Sequence, residues 1–357
     1  MKKPKVLVVG IGCGYGGTET VVSRFVGAMS DRFAFDTFSD VPLKQAEYSE
    51  GDNNIVRIPA KRKSPFSYAI QIRCFFKQHA HEYSAIWFNA NSFSNITPLK
   101  LAAKYGIQKR IVHFHNTEVL GNALNQLLTN IHRQTVNRIA TIKIACSKEA
   151  GFFAYGVNSD FKIINNAFKL SDFTFNQINR NAVRKELGLS DSAFIIGTTG
   201  RLAKQKNQSF LISLMPKIRQ INNKAHLVIA GEGELRNELC NLAHKYHVNK
   251  YVHFIGARKD IPRVLSAFDV FAFPSIFEGL GVSLVEAQAN GLPCVISEDI
   301  PDLAIVSESV HKVSLSSNAD WAYLLARLNR DSFHARKERI EKFNIENESK
   351  LLSTYLE

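Results

Sequence analysis

Short apolar runs alternate with longer amphipathic stretches along this chain, and that rhythm restricts its possible folds more than any other feature of its 357 residues. Lys5 to Gly10, Ala34 to Ser39, Ile55 to Ile58, Ala85 to Phe88, Arg110 to Phe114, Thr141 to Ala145 and Lys162 to Ile164 read as strands, with helical patterns between most of them. Apolar runs separated by helices predict a parallel sheet covered on both faces. A polar stretch, Asn165 to Arg180, breaks the rhythm, and Asn181 to Leu187 reads as a short helix before it restarts. Further strands follow at Phe194 to Thr198, His226 to Ala230, Val252 to Ile255, Val270 to Phe273 and Cys294 to Ser297. The expected fold class is α/β, with two Rossmann-like, doubly wound parallel-sheet domains facing a cleft, because such sheets bind ligands where loops leave the C-terminal strand ends. The boundaries fall at residues 1–168 and 169–335, with a charged helical tail over 336–357.

The segment PSIFEGLGVSLVEAQANGLP carries the densest chemistry. Val270 to Phe273 reads as a buried strand ending at Pro274. Gly279 and Gly281 then allow close backbone approach, and a helix opening near Val282 points unpaired amides, including those of Val282 and Ser283, at an anion. Glu278 on the loop and Glu286 one turn into the helix can both face that space and accept hydrogen bonds from hydroxyls. A second anion-binding element is GTTGRLAKQKN, in which Gly200 turns the chain after a strand, Arg201 can fork phosphate oxygens and Lys206 adds a point charge. Asn207 is expected to cap the helix Gln208 to Gln220. A nucleoside diphosphate sugar, with a diphosphate between two polyols, would satisfy all of these groups.

On these residues the chain resembles the retaining glycosyltransferases of family 4, which have the GT-B fold, and especially bacterial members that assemble exopolysaccharide and capsule. The resemblance rests on Glu278 and Glu286 as an EX7E pair, on Gly200, Arg201, Leu202 and Lys206, and on ANGLPCV. RIVHFHN around His115, IINNAF and the N-terminal glycine loop match more weakly; Lys169 stands where the family usually has Asp. The resemblance implies that Glu278 binds donor sugar hydroxyls, Glu286 binds ribose hydroxyls, and Gly16 and Gly17 approach the donor diphosphate and the acceptor. His115 would lie near the transferred sugar, orienting hydroxyls or stabilising charge. The implied reaction moves a hexose-type residue from a nucleotide sugar, most often UDP-linked, to a glycan or polyprenyl-diphosphate-linked sugar with retention. Front-face substitution is implied, with the departing phosphate accepting the acceptor proton. The base should lie near Gly256 and Arg258, and GDP stays open as an alternative. The tail would cross back onto the first domain.

Other readings remain alongside. Gly12, Gly14 and Gly17 satisfy GxGxxG, and Asp40 ends the second strand, which taken alone favours an NAD-dependent oxidoreductase. A nucleotide-sugar epimerase of the same architecture would use similar phosphate contacts. No D-x-D triplet is present, so Arg201 and Lys206 are expected to replace a divalent ion, with no metal and no cofactor. The five cysteines, Cys13, Cys74, Cys146, Cys240 and Cys294, lack metal spacing and should be free thiols. MKKPKVLVVG enters a strand directly and no apolar run reaches spanning length, so the expected location is cytoplasmic. The net charge of +13 concentrates in residues 1–165, which carry 21 Lys and Arg against 11 Asp and Glu. Its densest part, KRKSPFSYAIQIRCFFKQHAH, either lies on anionic lipid at the inner face of the plasma membrane or packs its aromatics on the sheet. No aromatic-basic nucleic-acid motif accompanies the charge.

Overall fold

The structure, a computed structural model, describes residues 3–11, 17–39, 54–61, 63–116, 123–330 and 337–357. Backbone contacts divide the chain into two compact units, residues 1–168 with 342–357, and residues 169–341. In the first unit, β1 (Lys5–Val9), β2 (Ala34–Ser39), β3 (Asn54–Arg57), β4 (Ala85–Ala90), β5 (Lys109–Phe114), β6 (Ile142–Ala145) and β7 (Lys162–Ile163) form one sheet in the order β3-β2-β1-β4-β5-β6-β7. Every pairing is parallel. In the second, β8 (Phe194–Thr199), β9 (Ala225–Ala230), β10 (Val252–Phe254), β11 (Val270–Phe273), β12 (Cys294–Ser297) and β13 (Val310–Val313) run parallel in the order β10-β9-β8-β11-β12-β13. Both sheets reverse direction beside their first strand, between β1 and β4 and between β8 and β11. Such a reversal opens a crevice outside the strand ends.

Helices cover both faces, so the central strands carry no polar alternation. β4, AIWFNA, is buried throughout, and Trp87 at its middle meets Phe25 of the helix Gly17–Ala28 edge-on at 6.1 Å. The twelve expected strands all form, within a residue or two at their ends. β13, VHKV, was not foreseen: it pairs only with β12, is half exposed, and alternates too little to be read as a strand. The helix foreseen at Asn181 begins earlier, at Gln177, where the Asn176 side chain accepts from the Asn179 amide and caps it.

The helix Ile345–Leu356 belongs to the first unit, packed against Gly17–Ala28. Phe168 N donates to Phe343 O at 2.9 Å and Ile345 N donates to Phe168 O at 3.0 Å, while Asn165 N donates to Glu348 Oε2 at 2.6 Å. Arg32 and Glu357 close the far end with an ion pair.

Candidate active site

In the second unit, three loops leave the C-terminal ends of β8, β9 and β11 and are tied to one another through the backbone. Gly200 N donates to Ala230 O at 2.9 Å, Leu202 N to Glu232 O at 3.0 Å and Leu235 N to Leu202 O at 3.2 Å. On the other flank Ile276 N donates to Gln205 O, and Gln205 Nε2 to Phe277 O, both at 2.9 Å. Gly231 makes the first contact possible: at φ +155° a Cβ there would lie 1.9 Å from Gly200 O. The segment bearing Arg201 and Lys206 is thus held between its neighbours before any ligand arrives. Sequence reasoning missed this brace, although Gly-Glu-Gly-Glu directly after a strand, residues 231–234, was a visible signal.

Lys206 Nζ lies 2.6 Å from Glu278 Oε1 and 5.1 Å from the Phe273 ring centroid. The Glu278 side chain is only 8% exposed, so this is a largely desolvated pair. Gly281, at φ +75°, begins the helix Val282–Ala289, and Phe273 would crowd any Cβ there at 3.1 Å. The Leu284 amide donates to Gly281 O, whereas the amides of Val282 and Ser283 meet no acceptor among the described residues. Glu286 is buried on the same helix, and Gly279 lies between the two carboxylates. Thr199 Oγ1 and Ser275 Oγ, buried at the ends of the adjacent strands β8 and β11, also have no hydrogen-bond partner among the described residues.

Arg201 is exposed and pairs with Glu234 at 3.0 Å. Arg258 follows β10, but its Nε and Nη2 meet Asp260 at 2.7 and 2.8 Å and its Nη1 meets Glu186. Hydrogen bonds from Arg258 hold the Asp260 carboxyl at about 2. Asn207 starts the helix Gln208–Ile221 but does not cap it with its side chain: its backbone is left-handed and its Nδ2 donates to Pro274 O at 3.2 Å, joining the loops after β8 and β11.

In the first unit His115 follows β5 and is buried. The Asn89 amide nitrogen donates to Trp87 O at 3.3 Å, which turns Asn89 Oδ1 toward His115 Nε2 at 2.9 Å. Nδ1 lies 3.2 Å from Asn166 Oδ1, so both ring nitrogens face amide oxygens. Burial lowers the His115 pKa to about 4, against a smaller opposing effect of Asn166, so the ring is neutral at pH 7. His113, 4.0 Å away between ring centroids and fully buried, has its pKa held well below the ordinary 6.5 by burial and by His115. A folded pKa below the ordinary 6.5 stabilises the fold fully above pH 6.5 and is lost as pH falls toward 4. His115 alone is expected to make the unit about 2 kcal/mol less stable at pH 5 than at pH 7.5. Urea titrations of wild type and His115→Gln at both pH values check this; equal pH slopes would contradict it.

Near His115, at the reversal between β1 and β4, a cavity of ≈ 300 Å³ is lined by Gly10, Tyr68, Asn91, Ser92, Ser94 and Asn95 among others, with no charged side chain in its described lining. Gly17 opens the helix beside it. Gly12, Cys13, Gly14, Gly16 and Asp40 lie outside the described residues; Cys74, Cys146, Cys240 and Cys294 are free thiols. Among the described residues no helix is long and apolar enough to cross a membrane.

The profile of the family described as glycosyl transferases group 1 matches residues 179–344. EpsF of Bacillus subtilis, named as a glycosyltransferase, is 30% identical over 337 residues, covering 90% of this chain and 87% of its own. An Escherichia coli enzyme named UDP-Gal:alpha-D-GlcNAc-diphosphoundecaprenol alpha-1,3-galactosyltransferase is 37% identical over 124 residues, 34% of this chain and 32% of its own. Among solved structures, HepE from Anabaena, crystallised with UDP and glucose, superposes with a TM-score of 0.80 at 19% identity, covering 99% of each chain. Two Rossmann-like parallel-sheet domains of GT-B type and relatives at this level make the chain a glycosyltransferase and a member of the glycosyl transferases group 1 family.

Proposed function

We propose that the second unit binds a nucleoside diphosphate sugar, preferably UDP-linked, and that the enzyme transfers its hexose-type residue with retention to a glycan or polyprenyl-diphosphate-linked sugar in cell-surface polysaccharide assembly. One observation carries the donor assignment. Lys206, on the loop after β8, is paired with Glu278, which lies on the β11 loop that leads into the unoccupied amides of Val282 and Ser283. A diphosphate entering there exchanges its oxygens for the Glu278 carboxylate on Lys206, and Glu278 becomes available to sugar hydroxyls. Arg201 would likewise leave Glu234 for phosphate, and Glu286 would take the ribose. Fixed cations and helix-end amides stabilise the charge that develops on the leaving diphosphate. They require no metal, so chelation should leave the rate unchanged.

HepE was crystallised with UDP, and the E. coli relative is named for a UDP-linked donor and a lipid diphosphate acceptor, which supports the same classes here. The uncharged amide and hydroxyl lining of the first unit's cavity suits a neutral sugar ring. Neutral His115 would orient a hydroxyl rather than supply charge. We place the reaction at the cytoplasmic face of the plasma membrane.

A thermal-shift panel tests the donor assignment. At one hundred times its Kd, UDP is expected to stabilise the protein by about 2.7 kcal/mol. Arg201→Ala combined with Lys206→Ala should remove that shift. Stabilisation by NAD alone would instead favour the oxidoreductase, and sugar inversion without nucleotide release would favour the epimerase.

A further inference from the structure

We propose that the hydroxyls of Thr199 and Ser275 are donor-binding groups, which the fold leaves without a hydrogen-bond partner and which bond the diphosphate of the donor. This deepens the donor assignment, on which it rests, by adding two uncharged contacts to Arg201, Lys206 and the helix amides.

A buried hydroxyl with no partner destabilises a fold, and native proteins leave few such groups. Thr199 is 5% exposed and Ser275 is fully buried, and neither hydroxyl oxygen meets a partner among the described residues. Both stand where such an exception has a use. Thr199 ends β8 and Ser275 follows β11, the two strands between which the sheet order reverses and the crevice opens.

The strand register fixes the face that Thr199 occupies. β8 and β11 pair Ile196 with Val270 and Gly197 with Phe271, so two residues further along Thr199 stands beside Phe273 on the same face. Ile196, Val270 and Ala272 belong to the opposite face, in the core shared with the helix Gln208–Ile221. Thr199 therefore shares the side of the Phe273 ring, over which Lys206 Nζ lies at 5.1 Å and against which Gly281 begins the helix Val282–Ala289. Ser275 is held between two ties to the Lys206 loop. Before it, Pro274 O accepts from Asn207 Nδ2 at 3.2 Å; after it, Ile276 N donates to Gln205 O at 2.9 Å.

A hydroxyl has one hydrogen bond to donate, and the oxygens of an ionised diphosphate accept. The two groups thus complement the ligand that Lys206 and the amides of Val282 and Ser283 already suit. Gln208 Oε1, at the start of the following helix, is also buried and unpaired, but an amide oxygen only accepts and offers a phosphate nothing.

Thr199→Val and Ser275→Ala each remove a hydroxyl with little change in shape. Because an unpaired buried group is lost, each ligand-free variant should melt about 2–4 °C above wild type. UDP binding, measured by calorimetry, should weaken about tenfold in each. Thr199→Ser restores a hydroxyl and should return UDP affinity to within about threefold of wild type. A purely structural hydroxyl gives the reverse pattern, a lower Tm with UDP affinity unmoved. A ligand-free Tm below wild type in both variants means that internal water already pairs these groups, and it overturns the proposal. UDP affinity unchanged in both variants overturns it as well. If wild type itself binds no UDP, the donor reading falls and takes this proposal with it.

Discussion

Lys206→Ala is expected to lower kcat/KM for sugar transfer by about 10²–10³-fold, the loss typical of removing one fixed group that stabilises transition-state charge. The ammonium is held at 2.6 Å by Glu278 and lies over the Phe273 ring, on a loop braced from both sides, so it need not be organised during the reaction. The substitution has a second effect, because it leaves the Glu278 carboxylate, at 8% exposure, without its cation. The double variant Lys206→Met with Glu278→Gln separates the two. Its stability in urea should recover relative to Lys206→Ala, since both charges are gone, while its transfer rate should not. Radiolabelled transfer assays and urea midpoints on all variants check this. A loss below about tenfold would remove Lys206 from leaving-group stabilisation.

Asp269→Ala should give the largest loss of stability in the second unit, about 3–5 kcal/mol. The carboxylate accepts from Arg180 Nη2 at 2.5 Å, Arg184 Nη2 at 2.7 Å and the Ile195 amide at 2.7 Å. Arg184 is 1% exposed, and Arg330 nearby is pushed down to about 9 by burial first and by Arg180 second. Two guanidinium groups therefore bind one carboxylate with a third close by, and removing it leaves these cations facing one another. The apparent Tm should fall by about 10 °C for a unit of this size. Circular dichroism during thermal and urea unfolding measures it. A change below about 1 kcal/mol would mean that the carbonyls of Ala267, Phe268 and Asn290 suffice for these arginines.

Local chemistry made much of this legible in advance. Twelve strands were readable because parallel strands buried on both faces are written as continuous apolar runs. Gly281 and Val282 were readable because a glycine between a strand and an apolar helix has few structural uses. Partners brought together by the fold were not. Nothing local pairs Lys206 with Glu278, 72 positions away, or commits Arg258 to Glu186. Asn207 shows the same limit: its type and position suggest a helix cap, yet a carbonyl on the neighbouring loop takes its side chain. The stripe at Leu124, Leu127 and Ile131 has the spacing of a buried face, and only the packed structure shows that it points outward.

The helix Ile345–Leu356 has a consequence for biosynthesis. Because it completes the first unit yet follows the second in the chain, residues 1–168 emerge from the ribosome well before Gly17–Ala28 can meet its packing partner. A chain truncated after residue 341 should therefore shelter 169–341 from protease while 1–168 is more open to cleavage.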